Sequence, residues 1–402
     1  MAMQLDAIRA EVKKVEAQSI EFFRNLIRTQ SFSGREEKVV RRIEAEMKEL
    51  GYDEVKIDGF GNVLGRVGRG PNVIAFDAHV DTVEVGDPKL WKVDPFAAEM
   101  VDGVVYGRGA SDQKGGMASS VYAGHLVKKL GLAEDFTVWV VGSVQEEDCD
   151  GLCWQYILKN KVIEPHAVVI TEPTNLEVYR GHRGRMEIEV TTRGLSCHGS
   201  APERGVNAIY KMAPVVKGIE ALNERLGGER FLGKGTVTIS QIRSTSPSLC
   251  AVADSSTINL DRRLAAEDDE ALAVKQIREV VGPDAEIEVL EYDVPSWTKT
   301  VMKTKKYYPT WLMPEEHPLC RVALDAQREL TGKPAQGGKW VFSTNGIATA
   351  GMYKIPTIGF GPADERFAHA PTDQCPAWHI PAAVTFYTHL VNRAKGVFPL
   401  VK

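Results

Sequence analysis

Three apolar runs in the first half of the chain each stop at an ionisable residue, and this constrains the fold more than any other feature. Residues 72–78 run into His79, residues 136–144 run into Glu146, Glu147 and Asp148, and residues 167–171 run into Glu172. Short, nearly continuous apolar runs are what strands buried on both faces look like. Helical patterns at 5–29, 36–50 and 117–130 alternate with short strands, including two more at 54–57 and 62–66. This order predicts an α/β fold, a mostly parallel mixed sheet flanked by helices. In such open sheets ligands collect at the carboxyl ends of the strands, which is where His79, Glu147 and Glu172 fall.

The texture changes after residue 179. Residues 185–192, 236–242 and 257–263 alternate apolar and polar, as half-exposed antiparallel strands do. With helical patterns at 206–226 and 268–281 and a last strand at 285–290, the order is strand–helix–strand–strand–helix–strand, that of a ferredoxin-like α+β unit. The expected organisation is a catalytic segment at 1–178, an inserted unit at 179–297 returning through Val294-Pro295-Ser296-Trp297, and a second catalytic segment at 298–402.

Bulk properties narrow the function. A chain of 402 residues with 43% apolar and 26% charged residues can bury a large core, which argues against disorder. The net charge of −5 and the lack of a basic block give no reason to expect nucleic acid or an anionic membrane as partner. The N-terminus has no apolar signal core, so the reading is cytoplasmic. Six cysteines without a framework spacing read as reduced thiols.

The chemistry lies in five candidate ligands, His79, Asp112, Glu147, Glu172 and His369, with Glu146 as a spare carboxylate beside them. Two imidazoles and three carboxylates suit a pair of divalent cations, whereas a structural zinc site leans on cysteine. Asp81 falls on the same side as His79 if the strand continues, where its carboxylate could orient the imidazole. Asp112 lies in Gly107-Arg108-Gly109-Ala110-Ser111-Asp112-Gln113-Lys114-Gly115-Gly116. A phosphate loop is the rival reading, but Gly115 follows Lys114 where Ser or Thr is needed, and Asp112 would repel phosphate. Taken singly, each residue has a bland alternative: a core histidine, a solvated acidic turn. Their shared placement at strand ends and turns is what favours a site. His125, His166, His182, His317, His379 and His389 read as structural or surface residues.

Ala78-His79-Val80-Asp81-Thr82, Trp91 with Asp94-Pro95-Phe96, Tyr106-Gly107-Arg108-Gly109 leading to Asp112-Gln113-Lys114-Gly115-Gly116, Glu146-Glu147, Glu172-Pro173-Thr174 and a late His369 together resemble the co-catalytic zinc hydrolases. That family includes acetylornithine deacetylase, succinyl-diaminopimelate desuccinylase, aminoacylases, glutamate carboxypeptidase and several di- and tripeptidases. Within it the chain is most similar to the hydrolases linked to selenium metabolism. The resemblance covers essentially the whole chain. It implies that Asp112 bridges two metals, that His79 and Glu172 complete one site, and that Glu147 and His369 complete the other. It makes Glu146 the general base and Asp81 the acid that orients His79. The inserted unit becomes a lid and dimerisation domain. On that lid His198 would reach a neighbouring subunit's site and steady the oxyanion, and Arg263 would bind a substrate carboxylate. The loop Ser343–Gly346, with Asn345 and Gly346 in it, would help to clamp that carboxylate. Departures from the family pattern at Cys250, Ala253, Ser343–Gly346 and Asp373-Gln374 bear on specificity rather than on the ligands.

The expected activity is therefore hydrolysis of an amide in a small N-acyl amino acid or short peptide, with two divalent ions, zinc first and cobalt or manganese acceptable to the same ligands. A dipeptidase or aminopeptidase of the same family is one alternative. A non-catalytic, metal-stabilised binding protein is another, disfavoured because scaffolding needs no spare base.

Overall fold

The computed structural model describes residues 3–397; the outermost residues of both expected catalytic segments, 1–2 and 398–402, lie outside the described residues. The central sheet has six strands in the order Glu54–Ile57, Val63–Val67, Phe136–Ser143, Asn72–His79, Ala167–Ile170, Thr357–Gly359. The last four pair in parallel and the first two add an antiparallel edge. The Asn72–His79 strand is central, and its last six residues are buried. Apolar side chains on both faces explain why its sequence does not alternate.

Register decides where the chemistry sits. His79 lies opposite Ser143, and Asp77 lies opposite Ile170. Three neighbouring strands therefore end at nearly the same height, and the residues just beyond them share one crevice. Helix Lys114–Lys129 packs on this sheet and against helices Leu5–Arg28 and His379–Ala394. It begins three residues before the expected 117, because Gly115 and Gly116 are helical. A Cβ on Gly116 would collide with Thr171, so this glycine permits close helix–strand approach and does not break the helix.

A second sheet carries the strands Thr236–Thr245, Ser255–Leu264, Gly184–Arg193 and Glu286–Val289, in that order and all antiparallel. Helices Ala208–Arg225 and Glu270–Val281 cover one face, and Met186, Ile188, Val190, Ile219, Leu260 and Ile277 form a core separate from that of the central sheet. Each such side chain, fully buried, contributes about 1.5–3 kcal/mol. The alternation anticipated from sequence is regular: in Gly184–Arg193, even-numbered residues are buried and odd-numbered ones face outward. One feature was not anticipated. Tyr307–Tyr308, beyond the expected return linker, adds a fifth strand to this sheet beside Gly184–Arg193. Among the described residues no helix is long and apolar enough to cross a membrane.

Candidate metal centre and active site

The five proposed ligands converge as two triads sharing Asp112: His79–Asp112–Glu172 and Asp112–Glu147–His369. His79 Nε2 lies 2.7 Å from Asp112 Oδ1 and 3.5 Å from Glu172 Oε1. His369 Nε2 lies 3.3 Å from Asp112 Oδ2 and 2.8 Å from Glu147 Oε2. Asp112 thus offers one oxygen to each triad, the geometry of a bridging carboxylate.

Burial pushes Glu146 and Glu172 well above the usual carboxylate range and Glu147 up to about 7. Burial also acts to raise Asp112, but His79 and His369 outweigh it and hold this carboxylate below its ordinary value. Hydrogen bonds with Asp112 and Glu147 push His369 up to about 10. Burial disfavours a charged His79, yet Glu172 and Asp112 outweigh it and hold its pKa well above normal. Were all four acids ionised against two imidazolium ions, two negative charges would remain out of water; the raised carboxyl pKa values reflect that cost, which divalent cations would remove. Glu147 Oε1 and Glu172 Oε2 are buried with no hydrogen-bond partner, as ligand oxygens awaiting a cation would be. The donor set therefore fits two metal ions.

Glu146 belongs to neither triad. It is buried in the wall of the same cleft, about 380 Å³ in volume, and its Oε1 has no partner. Its placement depends on Asp81, whose Oδ1 accepts the N–H of Glu146 and whose Oδ2 accepts the N–H of Glu147, each at 3.1 Å. Asp81 thus ties the base candidate and a ligand to the His79 strand. The expected grip on His79 is looser: Nδ1 is 3.6 Å from the Asp81 carboxylate and 3.0 Å from the Asp81 backbone carbonyl.

Residues outside the candidate ligand and catalytic set complete this frame. Asp373 is buried and accepts from Arg108, from the Gly109 N–H and from the Ser111 N–H, which shapes the loop bearing Asp112. It arrives there because Gln374–Pro376 pairs with Val104–Tyr106, a contact between distant segments. Glu36 accepts from the Gly34 and Gln145 N–H groups, and burial pushes it up to about 8. Gln145 has a φ of +58°, and its Nε2 donates to Tyr292 Oη at 2.9 Å and to the carbonyls of Val294 and Pro295 at 3.3 Å. His369 is also left-handed, at +59°. Such non-glycine conformations gather at functional sites.

Not every expected residue reaches the cleft. Arg263 lines it, together with Arg185, Asp150, Phe342, Ser343 and Glu365. Asn345 and Gly346, expected to help clamp substrate, are not among its lining residues. The Asn345 side chain is buried and fully engaged: Nδ2 donates to Asp77 and Ser143, and Oδ1 accepts the Gly151 N–H. Gly346 is buried against Trp311, whose ring a Cβ would strike. Ser343, the first residue of the same expected loop, does line the cleft. His198 is exposed on the second sheet's unit, where its Nδ1 pairs with Ser200, outside the cleft of its own chain. Among the histidines read as structural, His389 does have an acidic partner, Glu329 at 2.6 Å.

A family model described as Peptidase family M20/M25/M40 matches residues 75–393. The chain belongs to this family. M20 members are metallopeptidases and amidohydrolases, and the chain is accordingly a metallohydrolase. It is 48% identical over 383 residues to the uncharacterized protein YgeY of Escherichia coli strain K12, covering 94% of this chain and 95% of that one. It is 31% identical over 206 residues to acetylornithine deacetylase of Photorhabdus laumondii, covering 48% of this chain and 52% of that one. Among solved M20 structures, aminopeptidase PepT of Bacillus cereus superposes with a TM-score of 0.72 at 19% identity, covering 94% and 99% of the two chains. YXEP of Bacillus subtilis, described as a dinuclear metal binding peptidase of the M20 family, gives 0.70 at 15% identity, covering 94% and 98%. At these identities the likeness bears on the fold alone.

Proposed function

We propose that this protein hydrolyses an amide bond in a small N-acyl amino acid or peptide-like substrate, with Glu146 as the general base. The observation that carries this reading is a buried carboxylate, outside both triads, in the wall of the cleft that the triads line. Two divalent cations held by His79, Asp112, Glu147, Glu172 and His369, zinc with cobalt or manganese as alternatives, would polarise the scissile carbonyl and acidify the attacking water. Glu146 takes the proton from that water and returns it to the departing amine, a role favoured by its upward-shifted pKa. Asp81 keeps Glu146 and Glu147 at fixed spacing through their backbone N–H groups. Arg263 binds a substrate carboxylate. His198 is exposed on the lid, so it would contribute to the oxyanion only in a dimer that brings it to a second copy's cleft. The working state in this reading is a cytoplasmic homodimer joined through the lid.

One observation favours a peptidase that requires a free amine. Glu365 lines the cleft, and its Oε2 is buried without a partner, as an ammonium-binding acid would be.

The test is a panel of acetyl, succinyl, carbamoyl and peptide amides assayed on metal-reconstituted protein. We expect turnover that a chelator abolishes, and we expect Glu146→Gln to lose about 10²–10⁴-fold in kcat while keeping its metal content. Full activity in that variant would contradict the base assignment. Cleavage of dipeptides but not of N-acyl amino acids would select the peptidase reading.

A further inference from the structure

Arg185 and Arg263 lie directly opposite each other on neighbouring antiparallel strands of the lid sheet, and Tyr308 lies opposite Arg185 on its other side. Directly opposed residues project from the same face, with Cβ atoms about 4.5–5.5 Å apart, and like charges so placed repel. Both belong to the odd-numbered, outward set, and both line the cleft that holds the metal triads. The sheet therefore presents two guanidiniums side by side to the reaction site.

Each is restrained in a different way. Arg263 is bound to its own strand, with Nε 2.9 Å from Asp261 Oδ1. Arg185 is held from across the cleft and from its own strand. Its guanidinium stands 4.6 Å from the Tyr308 ring centroid, its Nε is 3.3 Å from Asp150 Oδ2, and an Nη is 3.7 Å from Glu187. Asp150 is itself fixed by Ser343, whose hydroxyl donates to the same Oδ2. The hold on Arg185 is electrostatic rather than saturating, since its Nε makes no well-aligned hydrogen bond. Asp150, Glu187 and Asp261 already offset the two positive charges, but each guanidinium keeps N–H donors that no described residue accepts, and these can reach an anion placed between them.

We propose that Arg185 is a specificity-determining residue, and that with Arg263 it forms a two-guanidinium fork that receives the α-carboxylate of the amino-acid half of the substrate. Asp150 is a positioning residue that aims the fork through Arg185. This assignment rests on the hydrolase reading only for the word substrate; the fork itself is a binding site that can be measured without turnover.

The test uses full-length, metal-loaded protein and isothermal titration with N-acetyl-L-alanine, N-acetyl-L-leucine and N-acetyl-L-glutamine, each against its C-terminal carboxamide. In the wild type we expect at least one acid to bind tenfold or more tightly than its amide. Arg185→Met should bring that ratio within twofold. Arg185→Lys should restore only part of it, because an ammonium is a point charge and not a fork. Asp150→Asn, assayed on whichever acid is cleaved, should raise KM tenfold while kcat stays within threefold, a split that general loosening of the fold would not give. An unchanged acid preference in Arg185→Met overturns the proposal, as does the absence of any acid-over-amide preference in the wild type, including failure of every acid to bind at millimolar concentration. Acids bound through the fork but never cleaved would sustain the fork and sink the hydrolase reading. Cleavage indifferent to the carboxylate would do the reverse.

Discussion

His182 shows how a single imidazole can set the acid limit of the protein. It is fully buried, and its Nε2 lies 2.8 Å from Trp311 Nε1 and 3.0 Å from the Thr344 N–H, both of which are donors. Nδ1 faces the Arg183 carbonyl at 2.9 Å, so the ring is neutral with its proton on Nδ1. Protonating Nε2 would set one donor against two others. Burial accordingly lowers the pKa from 6.5 to about 4. Because the folded-state value lies below the unfolded one, the unfolded chain binds more protons between these limits. The stabilisation is complete above pH 6.5 and is lost as the pH falls towards about 4. At about 1.36 kcal/mol per pH unit the loss is on the order of 3 kcal/mol. His182→Gln should lessen, without abolishing, the dependence of urea-unfolding free energy on pH between 6.5 and 4, because burial lowers His379 to about 4 as well. An unchanged slope would show that His182 is not the titrating group.

At the level of elements, the turn that carries Asn345 is a brace between modules of the central sheet rather than part of the cleft. One side chain joins Asp77 on the central strand, Ser143 at the end of its neighbour, and the Gly151 N–H at the start of helix Leu152–Lys159. Asn345→Ala should destabilise the protein by about 1–3 kcal/mol for each buried group left unpaired, read by chemical denaturation. KM should stay close to wild type in the fraction that remains folded. A large KM change with normal stability would return Asn345 to the substrate site. This residue also marks where sequence reading ends. Strand-end residues such as His79 and Glu172 were legible because an apolar run fixes a strand, and a parallel sheet fixes which end holds ligands. Arg185 was not, and Asp373 stood out only as a departure from the family pattern. Asp373 gains its role from pairing between Gln374–Pro376 and Val104–Tyr106, and Arg185 from its position opposite Arg263. No local pattern encodes such long-range register. Asn345 drew its expected role from the family pattern alone, and the three partners that bury its side chain come from distant segments.

Across the whole molecule, the triads stitch together segments far apart in the chain, with His369 closing on Asp112 and Glu147. Cations bound there would stabilise the native state alone, by about 2.7 kcal/mol when present at a hundred times their Kd. Chelation should therefore lower Tm by a few degrees as well as end activity, and scanning calorimetry with and without chelator measures this directly. An unmoved Tm in protein shown to have lost its metal would mean that the cluster does not depend on the ions for its assembly. The grip of Gln145 on Val294 and Pro295 has a mechanical consequence. The segment that brings the chain back from the second sheet is thereby fastened to the residue just before Glu146. Displacing residues 294–295 would therefore tug on the left-handed peptide of Gln145, so strain in the returning segment and strain beside Glu146 would rise together.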